Sequence, residues 1–420
     1  MLLNYFKIFL KVASQKKLFT FLSLFGISLT IMFIMIFSMT ISKISSGSGP
    51  ESELNKIILS DRVKTKFSQG FGMLSRCNRS LCEEYLKKNS KAEITSMFTM
   101  PADWEFILNS EYEKKRESQT DAEYWELFDF RFLQGRPYTR SEVTNRANVA
   151  VISRSLKELL FGEEKDVLGK TIHYTTIDLV VTGVVEDCPP TALNTAADLY
   201  YPYTIFPAIN NGNNFLGPFT VAFKTGGSSG DIKAVRDEVQ ETIARLDAAD
   251  TTCKVFFAGP YTQIEKLMSG NIDPEEFSKG RSILKYLLLG LAFLLLPAIN
   301  LMSLNFARIH ERGEEIAVRK SFGASGAILR KQFLFENLLM TLAGGLMGII
   351  LSYVVVALLG RTFTLGISMF DRVPLSFSFN LPVFVAALAS CFIFGLLSGW
   401  LPAVRLARMK PAVFLKGGEL

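Results

Sequence analysis

Gly169-Lys170-Thr171 ends the stretch FGEEKDVLGKT and comes nearest in this chain to a phosphate-binding loop. Such a loop holds phosphates with backbone N–H groups and needs a glycine five residues before its Gly-Lys pair. That position is Glu164, and Gly162 lies two residues too early. The preceding segment reads as helix, whereas a phosphate loop follows a strand, so the stretch reads as a loop feeding a hairpin. Hydrolytic chemistry finds no better footing. The two histidines, His173 and His310, are far apart, and HExxH does not occur. Glu163-Glu164 and Glu275-Glu276 read as solvated surface. The five cysteines (Cys77, Cys82, Cys188, Cys253, Cys391) form no CxxC and have no metal-site spacing. Cys77 and Cys82 on one helix would lie about 7.5 Å apart along its axis, too far to bridge. A turn at Asn78-Arg79-Ser80 would permit a disulfide; two free thiols are the alternative.

The elements that must position these residues begin with four apolar runs, Leu18–Ile41, Ile283–Leu304, Phe333–Leu359 and Leu381–Leu401. Each is long enough for a helix to cross a hydrocarbon core of about 30 Å. Lys285 and Glu336 are the charged residues in these runs. Both stand near a run's end, within reach of the headgroups, so no proton path is drawn. The first run exceeds the 7–15 residue core of a signal peptide and is expected to stay as a span. Lysine and arginine cluster at Lys7–Lys17, at Arg308–Lys331 and in the tail from Arg405 to Lys416, which puts both termini and the charged loop in the cytoplasm. The net charge of +6 is thus a topology signal and not a nucleic-acid surface.

The expected order is a cytoplasmic segment (1–17), span (18–42), extracytoplasmic domain (43–282), span (283–305), cytoplasmic loop (306–332), span (333–360), external loop (361–380), span (381–403) and cytoplasmic tail (404–420). The fold class is an α-helical membrane protein of four transmembrane helices with a large α+β outer domain of two subdomains. In that domain, Ser45–Pro50 reads as a flexible exit from the first span. Glu53–Phe67 reads as helix, and Asp121–Phe130 as helix turning into strand. Asn148–Ile152, Thr171–Tyr174, Asp178–Val185, Phe219–Phe223 and Val255–Phe257 read as strands. Ser153–Phe161 and Ile232–Leu246 read as amphipathic helices. Within the spans, Pro297 predicts a kink. Gly344-x-x-x-Gly348 and Gly395-x-x-x-Gly399 predict close helix packing, or reflect only how common glycine is in such helices.

Between the second and third runs lies Arg312–Ser325, RGEEIAVRKSFGAS. Phe306, Ile309, Gly313, Ile316 and Ala317 fall on one helical stripe, with Glu311, Glu314, Glu315 and Arg319 largely off it. Gly323 suits a helix end, and Ser325 can cap the next helix. The pattern describes a helix lying along the membrane surface with a charged face toward the cytoplasm.

EIAVRKSFGA (Glu315–Ala324) resembles the coupling-helix signature of the MacB/FtsX-like permeases of ABC systems. The tail LPAVRLARMKPAVFL (Leu401–Leu415) resembles that family's C-terminal signature. Tyr124–Tyr138 with Gly135-Arg136, Val149–Gly169 and VTGVVEDCP (Val181–Pro189) resemble stretches of its outer domain, in order. The stretch after Pro190 resembles it least. The resemblance implies a non-catalytic permease subunit that binds no cofactor itself and works as a homodimer or related heterodimer. Separate cytoplasmic ATPases would carry the ATP and Mg²⁺. It further implies residence in a bacterial inner membrane, with lipid around the spans and a periplasmic or outer-membrane partner for the outer domain. Glu314, Glu315, Arg319 and Lys320 would make polar ATPase contacts, with Ile316 and Phe322 as apolar anchors and Gly323 ending the helix. ATP-driven motion would then pass through the spans to the outer domain. A membrane-anchored sensor is the alternative, but the tail leaves little room for a signalling domain. A membrane enzyme lacks a catalytic set.

Overall fold

No charged residue interrupts the sequence between Leu18 and Ile41, and Lys17–Ser46 forms one helix, α1. This computed structural model describes residues 17–269 apart from 61, 68–71, 109, 207–214 and 250–252, then 325–359, and isolated positions elsewhere. The contacts divide the chain into two units. One holds Met1–Ser42, Leu284–Thr364 and Leu375–Leu420; the other holds Lys43–Ile283 and Leu365–Pro374.

The second unit is built on a mixed sheet. In chain order come β1 (Ile57–Ser60), β2 (Arg62–Phe67), β3 (Gly72–Cys77), β4 (Ile94–Thr99), β5 (Ala102–Leu108) and β6 (Glu111–Thr120). They are followed by α2 (Tyr124–Leu127), β7 (Phe132–Gly135), α3 (Arg140–Thr144), β8 (Val149–Ser153), α4 (Arg154–Phe161), β9 (Thr171–Tyr174) and β10 (Ile177–Val185). β11 (Leu199–Pro202), β12 (Leu216–Gly217), β13 (Phe219–Lys224), α5 (Ser229–Ala249), β14 (Cys253–Ala258) and α6 (Gln263–Ser269) complete it. The sheet runs β14-β2-β3-β13-β4-β6-β11-β8-β10-β7, with β1 beside β13, β12 beside β3, β5 beside β6 and β9 beside β10. β6–β11 and β8–β10 are parallel. The β8–α4–β10 crossover follows from the sequence: Val149–Ser153 is buried throughout, Ser153 caps α4 through the Leu156 amide at 3.1 Å, and Leu156 drops into the core.

Two apolar clusters pack against this sheet. The larger gathers Ile57, Phe98, Tyr124, Phe128, Tyr200, Phe219, Val235 and Val239. The smaller holds Ala150, Ile152, Leu156, Leu179, Val181, Leu199 and Tyr201.

The expected helix over Glu53–Phe67 is not formed. A single 3₁₀ turn at Leu54–Lys56 leads into β1 and β2. β2 reads RVKTKF, with Val63 and Thr65 buried, which is a period of two. The basic residues between them disguised that period as a helical one.

In the first unit, α7 (Gly326–Leu359) starts ahead of the expected span, at the residue after the Ser325 cap, where the Ile328 amide lies 3.4 Å from the Ser325 hydroxyl. Thr20–Met39 and Gly326–Leu358 are both long and apolar enough to cross a membrane. On α1, Ile27, Ile31, Met35 and Met39 are buried every fourth residue, while Phe21, Phe25, Phe33 and Phe37 stay exposed on another face. The first stripe packs with Met340 and Ile349 of α7. The second and fourth apolar runs fall mostly outside the described residues.

Candidate functional site

Gly344 and Gly348 lie where α7 meets α1. A Cβ on Gly344 would come within 2.8 Å of the Ile27 Cβ, and one on Gly348 within 2.5 Å of the Ser28 carbonyl oxygen. Neither position has room for a side chain, so the backbones approach as small-xxx-small packing requires. Gly395, Gly399 and Pro297 lie outside the described residues.

The charged segment before α7 is described at Val318, Arg319, Ser321, Phe322 and Ser325. Arg319 donates from Nη1 to Gln332 Oε1 at 3.2 Å, and Gln332 donates from Nε2 to Glu336 Oε1 at 2.9 Å. Gln332, Glu336 and Asn337 are all buried. This corrects the expectation that Glu336 snorkels to the headgroups: its carboxylate is buried and joined through Gln332 to Arg319. Phe322 stands in the turn before α7 and is 87% exposed. Glu314, Glu315, Ile316, Lys320 and Gly323 lie outside the described residues. Gln332 and Glu336 were not singled out as site residues. Their signal was a polar pair spaced i,i+4 on an otherwise apolar helix.

In the outer domain, Lys170 pairs with Glu164, and Gly169 sits at a φ of +78° in the turn before β9. A lysine already matched by a carboxylate supports the loop reading over the phosphate reading. His173 projects from β9, its Nδ1 3.0 Å from Asp178 Oδ1, on the exposed side of the hairpin. Cys77 and Cys82 are present as two buried thiols, not as a disulfide. Burial, and then the adjacent Cys77 thiol, holds the Cys82 thiol well above the ordinary range.

Two buried carboxylates are the outer domain's strongest polar features. Asp121 accepts from the Ser96 hydroxyl (2.7 Å), the Met97 amide (2.8 Å), the Tyr124 amide (3.0 Å) and Lys87 Nζ (2.7 Å). Burial pushes Asp121 up to about 6, against the pull of Lys87. Glu51 accepts from the Asn194 amide (2.7 Å), Asn194 Nδ2 (3.1 Å) and the Thr195 hydroxyl (3.1 Å). Burial pushes it up to about 7, with those bonds and the Lys266 charge acting the other way. Both carboxylates are buried and accept from backbone amides as well as side chains of the same domain, so both read as structural nodes.

Residues 20–242 match the MacB-like periplasmic core domain, more than half of the chain. The chain belongs to the MacB/FtsX-like permeases. Residues 287–411 match the C-terminal domain of the FtsX-like permeases. The permease is 26% identical over 289 residues to a probable export ATP-binding/permease protein of Pseudomonas fluorescens (strain Pf0-1), covering 69% of this chain and 41% of that protein. It is 26% identical over 294 residues to the macrolide export ATP-binding/permease protein MacB of Pasteurella multocida, covering 70% and 41%. The permease therefore spans about two fifths of the length of these relatives. Among solved structures, the periplasmic region of MacB from Actinobacillus actinomycetemcomitans aligns with 51% of this chain and 96% of its own, at 17% identity and a TM-score of 0.35. A domain of a permease protein from Porphyromonas gingivalis gives 18% identity and a TM-score of 0.36 over 50% of this chain and 92% of its own.

Proposed function

We propose that this permease couples ATP hydrolysis on separate cytoplasmic ATPase subunits to movement of its outer domain. Two copies work together, in a bacterial inner membrane with both termini cytoplasmic. The observation that carries the reading is the polar chain Arg319–Gln332–Glu336. It ties a charged segment outside the membrane to the side of a spanning helix, so a displacement of the segment moves the span with it. Exposed Phe322 at the turn supplies an apolar anchor for a partner surface, with Glu314, Glu315, Ile316, Arg319, Lys320 and Gly323 forming the rest of the docking helix. The outer domain moves, extracts or regulates a component outside the membrane, so the cargo need not cross through the spans. ATP and Mg²⁺ belong to the partner.

Purification of the chain from native membranes in mild detergent tests this. A soluble ATPase should co-purify, with its turnover dependent on the permease. Glu315→Arg combined with Arg319→Glu should release that ATPase or cut its permease-dependent turnover at least ten-fold. Unchanged assembly and turnover in the double variant would overturn the docking assignment. Purification without any ATPase would overturn the class.

A further inference from the structure

One face of β6 carries a polar cluster that is short of hydrogen-bond donors. Lys115, Glu117 and Gln119 stand at every second position along that face, and β11 runs beside it with Tyr201 opposite Gln119. The Tyr201 hydroxyl lies 3.5 Å from Glu117 Oε1 and 2.9 Å from the Tyr174 hydroxyl of β9, and it accepts from Gln119 Nε2 at 3.3 Å. The second oxygen of each side chain, Glu117 Oε2 and Gln119 Oε1, is buried and has no hydrogen-bond partner among the described residues. Buried acceptors are normally paired, and a bare carboxylate oxygen is costly. Lys115 is turned to other groups: its Nζ lies 3.4 Å from the Ser155 hydroxyl and 3.9 Å from Asp198 Oδ1. Burial accordingly holds the Glu117 carboxyl above its ordinary range, with the Tyr174 and Tyr201 hydroxyls pulling the other way.

Aromatic rings close around the cluster. The Tyr174 ring stands 5.0 Å from Tyr201 and 5.3 Å from Trp104 of β5, and Phe206 lies 6.0 Å from Tyr174 and 6.1 Å from Tyr201. Trp104 and Phe206 are half-buried, while Tyr174 and Tyr201 are buried beneath them. Ring faces attract a cation, and a carboxylate among them calls for positive charge. A calcium ion takes about 6–8 oxygen ligands, which this cluster does not offer. One carboxylate among rings suits a single positive charge on an organic body. Two bare acceptors call for N–H donors, which a primary ammonium has and a quaternary one lacks.

We propose that Glu117, Gln119, Tyr174 and Tyr201 form a binding site for a primary ammonium group carried on an aromatic or apolar body, with Trp104 and Phe206 as its rim. The ammonium donates to Glu117 Oε2 and Gln119 Oε1, and the body lies against the rim rings. The ligand enters past Trp104 and Phe206, the part of the cluster that solvent already touches. The site lies wholly within the outer domain and needs no ATPase, so binding to the permease alone reads it separately from the coupling proposed above.

Titration calorimetry of the full chain in detergent, with phenethylamine as the probe, tests the proposal. Saturable binding is expected. 2-Phenylethanol lacks the charge and trimethyl(2-phenylethyl)ammonium lacks the N–H donors, so each should bind at least about ten-fold more weakly. That comparison is made on the wild type and needs no variant to fold. Glu117→Gln keeps the shape but removes the charge. It should weaken phenethylamine by about ten-fold or more, with the melting midpoint unchanged or higher because the buried anion is gone. Equal affinity for the amine and either analogue would overturn the proposal. So would equal binding by wild type and Glu117→Gln, which would mean that the probe only partitions into detergent. Absence of saturable binding would leave the two oxygens to a buried water and also overturn it. N-acetyl-lysine methylamide carries the same ammonium on a peptide stem and should bind more weakly than phenethylamine. Tighter binding would give the site to a lysine of a protein partner and overturn the small-ligand assignment.

Discussion

Glu51 shows what a single buried carboxylate does to pH dependence. Its ordinary value of 4.5 rises to about 7 in the fold. The folded domain therefore binds this proton more tightly than the unfolded chain. The stability from that proton is fully present below about pH 4.5 and is lost as pH rises through about 7. The shift corresponds to about 3 kcal/mol as an upper figure. Glu51→Gln cannot titrate, so the difference in melting temperature between wild type and variant should move against the wild type from pH 5 to pH 7.5. A constant difference across that range would show that Glu51 is ionised throughout. Lys87 gives a second residue-scale expectation. It pairs with Asp121 at 2.7 Å and Glu123 at 2.9 Å. Lys87→Met leaves the Asp121 charge buried without its cation and should destabilise the outer domain by about 3 kcal/mol in urea unfolding. Neither node was legible beforehand, because the Glu51–Asn194 contact joins residues 143 apart in the chain. A carboxylate destined for burial looks in sequence like any surface acid.

Elements were far easier to read where a pattern closes locally. Ser153 capping α4, the hairpin β9–β10 turning at Thr175 with φ of +54°, and the apolar stripe of α5 each carry their own signal. On α1 the fourfold stripes, isoleucine and methionine buried on one side and phenylalanine exposed on the other, are seen in the structure. What failed was local pattern in the service of distant partners. β1 pairs with the distant β13, and β2 lies between the neighbouring β3 and the distant β14, so only part of this pairing is local to Glu53–Phe67. The glycines of α7 stand between these cases. Their spacing was visible, but that they meet Ile27 and Ser28 was not. Gly348→Leu should drive α1 and α7 apart at a cost of at least 1–3 kcal/mol. The check is the unfolding midpoint of the chain in detergent, which should fall for Gly348→Leu; an unchanged midpoint would refute the packing.

For the whole molecule, division of labour was legible from charge placement and hydropathy, and it needed no contact information. Apolar runs, basic borders and a mixed-charge middle region set an apolar part apart from a mixed-charge part, and by its contacts the chain divides between Ser42 and Lys43. What the outer unit handles was not legible, because its polar interior is largely spent on holding itself together: among the described residues, no group of three or more His, Cys, Asp or Glu is arranged to bind a metal.

The far-flung strand pairing also governs how the chain comes into being. Arg62–Phe67 can pair with Gly72–Cys77 on one edge but waits for Cys253–Ala258 on the other, and Ile57–Ser60 waits for Phe219–Lys224. During synthesis the first strands of the outer unit emerge long before β13 and β14 exist, each with one edge left open. High contact order of this kind makes folding slow and leaves the nascent chain prone to aggregation. A holding chaperone on the far side of the membrane would protect β1 and β2 until β14 arrives, and a chain truncated before Cys253 should be recovered as a protease-sensitive or aggregated product.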